Sequence, residues 1–357
     1  MRPGFFLVTS APRRAGFGLG LSVSDRHSVG MNRTLLVVSL LLAVACRDGK
    51  AAPADPPPPD GFVRRMQRDG YAAVPFRYNY YVLSVFPLQV NGTEVQAMAD
   101  TGANVSMATA SATERLNFAF AEKEGSVQIP GETSQAARVA VAADVVADGV
   151  RLGAITNLVF PHRIEDARDR PDVILGLDYM ERHGALIDYG RQRIFLRPGG
   201  PPPRDVGPGL ERGGYIRVPL RRANRQLGVA GSINGMPVEL HLDTGTSRCY
   251  LDRTWAEEHH VPLTLSTMRV DGVAMNAADL YVAGVTNLQI GGQTVPNPEI
   301  RAFDVGHANL IGAGFLGNLD LRLLGGILDV AGDRLYVPPR PAAPPPAAAA
   351  KETTSPH

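Results

Sequence analysis

Cysteine is scarce: the 357 residues hold two, Cys46 and Cys249, which excludes a disulfide framework and leaves Cys249 to be read as a small buried apolar residue. Charge of one sign is also missing. With 36 Lys and Arg against 35 Asp and Glu, the formal net charge is +1, so nothing provides electrostatic capture of nucleic acid or of an acidic lipid surface. The apolar run Thr34 to Ala45 has twelve residues, where a bilayer-spanning helix needs about 20. The zinc-peptidase word H-E-x-x-H and the serine-hydrolase word G-x-S-x-G are both absent. His259-His260 follows Glu257-Glu258, but adjacent histidines on a helix point in different directions and read as a solvated helix end. Neither a metal nor an organic cofactor is expected.

What is present begins with a targeting segment. Met31-Asn32-Arg33 supplies a short basic start, "TLLVVSLLLAVA" an apolar stretch, and Cys46 follows small residues in "AVAC", which resembles a bacterial lipobox. Two readings stand for residues 31–46: a lipoprotein signal with Cys46 lipidated, or an ordinary cleaved signal. Residues 1–30 are an upstream artefact if Met31 is the start, and an unusually long leader if Met1 is. The expected location is the bacterial periplasm or outer membrane, with membrane contact only through a lipid anchor. Residues 47–70, with "AAPADPPPPDG", read as a proline-rich linker, 197–214 as an interlobe linker, and 339–357 as a disordered tail. Folded lobes are expected at 71–196 and 215–338.

The lobes repeat one another. "VNGTEVQAMADTG" (Val90 to Gly102) and "INGMPVELHLDTG" (Ile233 to Gly245) align without a gap, 143 residues apart. Each reads as a strand, an Asn-Gly hairpin turn, and a second strand running into an aspartate. A short helix comes next in each: "SATERL", with a capping box of Ser111 and Glu114, and "DRTWAEEHH", with Asp252 as N-cap. Later come "VILGLDYM" and "LIGAGFLG", then the terminal segments "LIDYGRQRIFL" and "ILDVAGDRLYV". The fold class is all-β, built twice.

A single Asp-Thr-Gly is more often a turn or a helix cap than a catalytic group. Two at one register of a duplication are different, because each aspartate follows an apolar strand segment ("AMA", "LHL") near a core where an unpaired carboxylate is costly. Two carboxylates brought together share a proton, one acting as acid and the other as base. Such a pair can activate a water for attack on a carbonyl.

The duplicated Asp-Thr-Gly, the later "ILG" and "LIG", and the terminal strands resemble the aspartic peptidases of the retropepsin and pepsin clan over roughly Val74 to Val337, closest to a bacterial retropepsin-like pair fused in one chain. The resemblance implies two barrel lobes meeting in a pseudo-two-fold cleft, with Asp100 and Asp243 as the catalytic dyad. Thr101 and Thr244 would interlock the active loops, Gly102 and Gly245 would shape them, and Gly176 and Gly312 would lie behind them. Flap tips are expected at "IPGETSQ", with Pro130 and Gly131, and at "VDGVAMN", with Asp271 and Gly272. The implied activity is an aspartic endopeptidase acting on polypeptides as a monomer. The alternatives are a catalytically silent peptide-binding module of the same fold in the cell envelope, and lobes paired between chains. "GAGFLG" (Gly312 to Gly317) fits G-x-G-x-x-G, but the chain beyond Gly317 leaves no room for the rest of a dinucleotide-binding unit.

Overall fold

The computed structural model describes residues 60–79, 81–127, 135–159, 171–199, 205–223, 225–272, 275–305 and 311–339. Cys46, Pro130 and Gly131, and nearly all of the C-terminal tail, lie outside the described residues.

The Asn-Gly turns set the first hairpin of each lobe. Asn91 and Gly92 take φ of 48° and 80°, and Asn234 and Gly235 take 49° and 83°. This is the left-handed pair that a two-residue hairpin requires. They join Ser84–Val90 to Thr93–Ala99, and Gln226–Ile233 to Met236–Leu242. Each turn asparagine then reaches a later loop: Asn91 Oδ1 accepts from the N–H of Ala143 (3.0 Å) and Asp144 (3.1 Å), and Asn234 Oδ1 from Thr286 (2.9 Å) and Asn287 (3.2 Å).

The second hairpin strand of each lobe ends at the aspartate, and a short later strand slides in beside it. Val173–Leu175 runs parallel to Thr93–Ala99 and antiparallel to Met107–Ala108. Gly314–Leu316 does the same between Met236–Leu242 and Tyr250–Asp252. The helix Ala110–Arg115 is capped by Thr109, whose hydroxyl accepts from the Ala112 N–H at 3.2 Å. The expected cap, Ser111, already lies inside the helix; Thr109 is the flanking residue with extended backbone (φ −70°, ψ 152°). Asp252 caps Arg253–Glu258, accepting from the Trp255 N–H at 2.9 Å.

The lobes join through a six-stranded antiparallel sheet in the order Ala72–Pro75, Arg193–Leu196, Leu186–Asp188, Ile327–Asp329, Arg334–Val337, Ile216–Ala223. At its centre Leu186 pairs with Asp329, Ile187 with Leu328, and Asp188 with Ile327. Equivalent strands thus meet each other about a local two-fold axis, the self-complementary contact of a symmetric dimer built into one chain. The result is all-β, two homologous lobes with a pseudo-two-fold relation.

Two segments expected as linkers also carry structure. Gly61–Arg68 is a helix capped by Asp60, and Gly207–Arg212 is a helix before the second lobe. Each leads through a glycine turn and a tyrosine into its lobe's first strand, so the duplication starts earlier than the Asp-Thr-Gly repeat alone suggests. Phe62, Val63 and Met66 pack with Leu210, Leu186, Phe195, Ile327 and Tyr336 in one cluster on the joining sheet. Phe62 meets the Phe195 ring edge-on at 5.7 Å, and the Arg191 guanidinium lies 4.9 Å from the Phe62 ring centre. Phe62→Ala is expected to cost about 3 kcal/mol, read as a lower urea midpoint, because it empties a ring-sized space in a buried cluster.

Candidate active site

Both Asp-Thr-Gly loops sit where a hairpin strand ends against the other lobe. Thr101 and Thr244 are fully enclosed, at 0% and 1% exposure. The Thr101 N–H donates to Thr244 Oγ1 at 3.0 Å and the Thr244 N–H to Thr101 Oγ1 at 3.1 Å. Each hydroxyl donates onward, Thr101 to the Leu242 carbonyl (2.7 Å) and Thr244 to the Ala99 carbonyl (2.8 Å). Four bonds therefore close a reciprocal lock.

The glycines explain themselves by what faces them. A Cβ at Gly102 would stand 2.6 Å from Asp243 Cγ, and one at Gly245 would stand 2.5 Å from Asp100 Cγ. Only a residue without a side chain lets each carboxylate lie against the opposite loop. Within each loop the glycine N–H donates back to its own aspartate: Gly102 to Asp100 Oδ1 at 2.9 Å, and Gly245 to Asp243 Oδ1 at 2.8 Å.

The threading strands hold the loops from behind. The Asp100 N–H donates to the Leu175 carbonyl and the Asp243 N–H to the Leu316 carbonyl, both at 3.0 Å. Gly176 comes directly after, and a Cβ there would lie 2.4 Å from the Val105 carbonyl carbon. The matching residue in the second lobe is Gly317, whose Cβ would meet the Arg248 N at 2.6 Å; it replaces Gly312 in that role. Gly312 lies five residues earlier, at φ 73°, where a Cβ would meet the Glu239 carbonyl oxygen at 2.0 Å. The "LIG" word resembles "ILG", but strand register assigns Leu242 to Leu316 just as it assigns Ala99 to Leu175.

Burial raises the pKa of both carboxyls. Asp100 is raised further by the charge of Asp243, against the pull of the Gly102 N–H; for Asp243 the Gly245 N–H opposes the rise. Both aspartates keep part of their surface open to solvent. Two such groups in contact can share one proton, which is the arrangement a carboxylic acid beside a carboxylate requires.

A family model described as aspartyl protease matches residues 86–179 and again residues 229–315, together just over half of the chain. The chain belongs to the aspartyl protease family. The comparison with curated proteins returns no match.

Of the expected flap positions of this aspartyl protease, Asp271 and Gly272 are among the described residues. Leu263–Gly272 and Met275–Ala283 form a hairpin closed by Gly272 opposite Met275, which puts the backbone of Asp271 and Gly272 at its closed end. The first-lobe counterpart joins Ala119–Val127 to Gln135–Ala147, with Val127 opposite Gln135. His259 and His260 are exposed, and His259 stacks on Trp255. Among the described residues no cluster of His, Cys, Asp or Glu could hold a metal ion.

Sequence reasoning missed several groups around the protease site. His241, two residues before Asp243, is 3% exposed, and neither ring nitrogen has a hydrogen-bond partner among the described residues. Burial pushes its pKa down to about 4, keeping the imidazole neutral near pH 7. Its first-lobe counterpart in the repeat is Met98. Asn318, which follows Gly317, is 0% exposed and touches the Asp243 loop. Subtracting one repeat from the other at the correct glycine would have exposed it, since Leu177 stands there in the first lobe.

Proposed function

We propose that this aspartyl protease is an endopeptidase that cleaves polypeptides with a water activated between Asp100 and Asp243. The observation that carries the reading is the reciprocal approach of each loop glycine to the opposite carboxylate, which brings two raised-pKa carboxyls to one point. The ionised member takes a proton from water as its oxygen attacks the scissile carbonyl, and the protonated member hydrogen-bonds the carbonyl oxygen. Return of a proton to the amide nitrogen lets the C–N bond break. An extended substrate gains main-chain hydrogen bonds from the two hairpins, and the pockets between strands select side chains.

The soluble body, from Ala51 onward, is to be incubated with a peptide library from pH 3 to pH 8 and the products read by mass spectrometry. Cleavage is expected, with specific activity independent of enzyme concentration because both aspartates come from one chain. Absence of cleavage at every pH, with peptides still bound, would favour the silent peptide-binding alternative. Gly102→Ala is expected to lower kcat/KM about 100-fold or more with unchanged far-UV circular dichroism, since the added methyl displaces the Asp243 carboxylate by a large fraction of an ångström.

The same proposal places the folded body outside the cytoplasm, carried from a lipidated Cys46 by the proline-rich stretch. Mass spectrometry of the mature N-terminal peptide checks this; an unmodified N-terminus other than Cys46 would overturn it.

A further inference from the structure

The two Asp-Thr-Gly loops are near copies, yet what stands behind them differs. Behind the second loop is Asn318, the first residue of the helix Asn318–Leu324. Its side-chain amide donates to the Thr244 carbonyl and, at 3.3 Å, to the Thr246 carbonyl. Its Oδ1 accepts from Ser84 Oγ at 2.9 Å and from the Tyr189 hydroxyl at 3.3 Å. Ser84 and Tyr189 belong to the first lobe and are 4% and 2% exposed, so the chain of bonds crosses between lobes out of contact with water. Behind the first loop the equivalent residue is Leu177, which follows Gly176 and offers no hydrogen-bonding group to the Thr101 carbonyl.

The consequence comes from the planarity of one peptide group. The Thr244 carbonyl and the Gly245 N–H share a plane, so anchoring the oxygen at one side fixes the direction of the N–H at the other. That N–H is the one donating to Asp243 Oδ1 at 2.8 Å. A donor on the carbonyl also polarises the peptide and strengthens its N–H as a donor. We infer that Asn318 is a positioning residue that makes the pair unequal: held from the first lobe by Ser84 and Tyr189, it aims the Gly245 N–H at Asp243 and so keeps Asp243 as the ionised member and Asp100 as the protonated one.

Other titratable groups face the pair. Tyr189 is pushed well above the ordinary tyrosine range and stays neutral. His241, near 4, is common to every variant considered. Asp320, raised to about 6 by burial, lies on the Asn318 helix but binds the Cys249 and Gly317 N–H groups, and substitutions in the first lobe leave it in place.

The inference rests on the endopeptidase reading for its role but is tested without it. Carboxyl titration by carbon-13 NMR, with Asp100→Asn and Asp243→Asn for assignment, is to be compared in wild type, Asn318→Leu, Ser84→Ala and Tyr189→Phe, beside the pH profile of kcat/KM. Asn318→Leu copies the first lobe. It is expected to raise the lower pKa of the pair, and the acid limb of the profile, by a few tenths of a unit, because the Gly245 N–H bond to Asp243 is weakened rather than lost, as the Gly102 N–H still reaches Asp100 Oδ1 at 2.9 Å with Leu177 behind its loop. Ser84→Ala and Tyr189→Phe should each move both in the same direction by less. If Asn318→Leu does not fold, the two first-lobe variants decide: an unmoved lower pKa in both overturns the inference. Turnover in wild type with an unmoved titration and acid limb in Asn318→Leu also overturns it. A moved titration in a chain that cleaves nothing supports the inequality and sinks the endopeptidase reading instead.

Discussion

Asp100→Asn and Asp243→Asn are each expected to abolish cleavage, lowering kcat by about a thousandfold or more while KM changes little. The magnitude is that of losing a positioned acid or base. The cause is parity: the reaction needs one proton and one negative charge on the pair, and an amide in place of either carboxyl can neither take the proton from water nor return it to the leaving nitrogen. Substrate contacts along the hairpins do not involve the replaced atom, so ground-state binding survives. Steady-state kinetics on a cleavable peptide checks both values; a variant retaining full kcat would show that the carboxyls do not act as one unit.

The same substitution has an opposite effect on stability. Burial makes both carboxyls bind a proton more tightly in the folded chain than in the unfolded one. Folding therefore takes up protons between the ordinary carboxylate range near pH 3.9 and the raised values. The stability contributed by protonation is full at low pH and is lost as pH rises through the folded-state pKa. Asp100→Asn removes that loss and keeps a hydrogen-bond donor toward Asp243. It should melt a few degrees above wild type at pH 7 and no higher at pH 3, given about 1.4 kcal/mol for each unit of raised pKa. An equal gap at both pH values would mean that the carboxyl carries no such penalty.

Thr101→Val carries the second large effect. The substitution is close to isosteric, but it leaves the Thr244 N–H and the Leu242 carbonyl without partners in an enclosed site. Each orphaned group costs about 1–3 kcal/mol, so the variant should lose about 4 kcal/mol in urea unfolding. Thr244→Val strips the Thr101 N–H and the Ala99 carbonyl and should cost about the same. Activity should fall with stability, because the lock sets the spacing of the two aspartates. Thr101→Ser restores the hydroxyl and should recover most of both. A valine variant that unfolds like wild type would mean that the loops are held by something other than these four bonds.

How legible this was differs element by element. Asn91-Gly92 and Asn234-Gly235 could be read as hairpin turns because positive φ is a property of two adjacent residues, settled locally. Asp252 was legible as a cap for the same reason, whereas Thr109 outranked Ser111 because the helix start is fixed by where the preceding strand Met107–Ala108 ends. The helices Gly61–Arg68 and Gly207–Arg212 were hidden by proline-rich neighbours; their apolar residues find partners only on a sheet that both lobes build. Gly317 lost to Gly312 in the sequence because both sit in apolar-glycine words, and only parallel pairing with Met236–Leu242 distinguishes them.

By itself the sequence determined that one unit is written twice, that each copy runs a hairpin into Asp-Thr-Gly, and that the chain is β-built, since these depend on residue spacing and on conformations chosen within a few residues. The family resemblance implied that Thr101 and Thr244 interlock, but tertiary structure alone decided that Gly102 faces Asp243 and that Asn318 joins Ser84 and Tyr189 behind only one loop. The physical reason is that burial and hydrogen-bond partnership between residues more than a hundred positions apart depend on how two sheets meet, and no local pattern encodes that meeting.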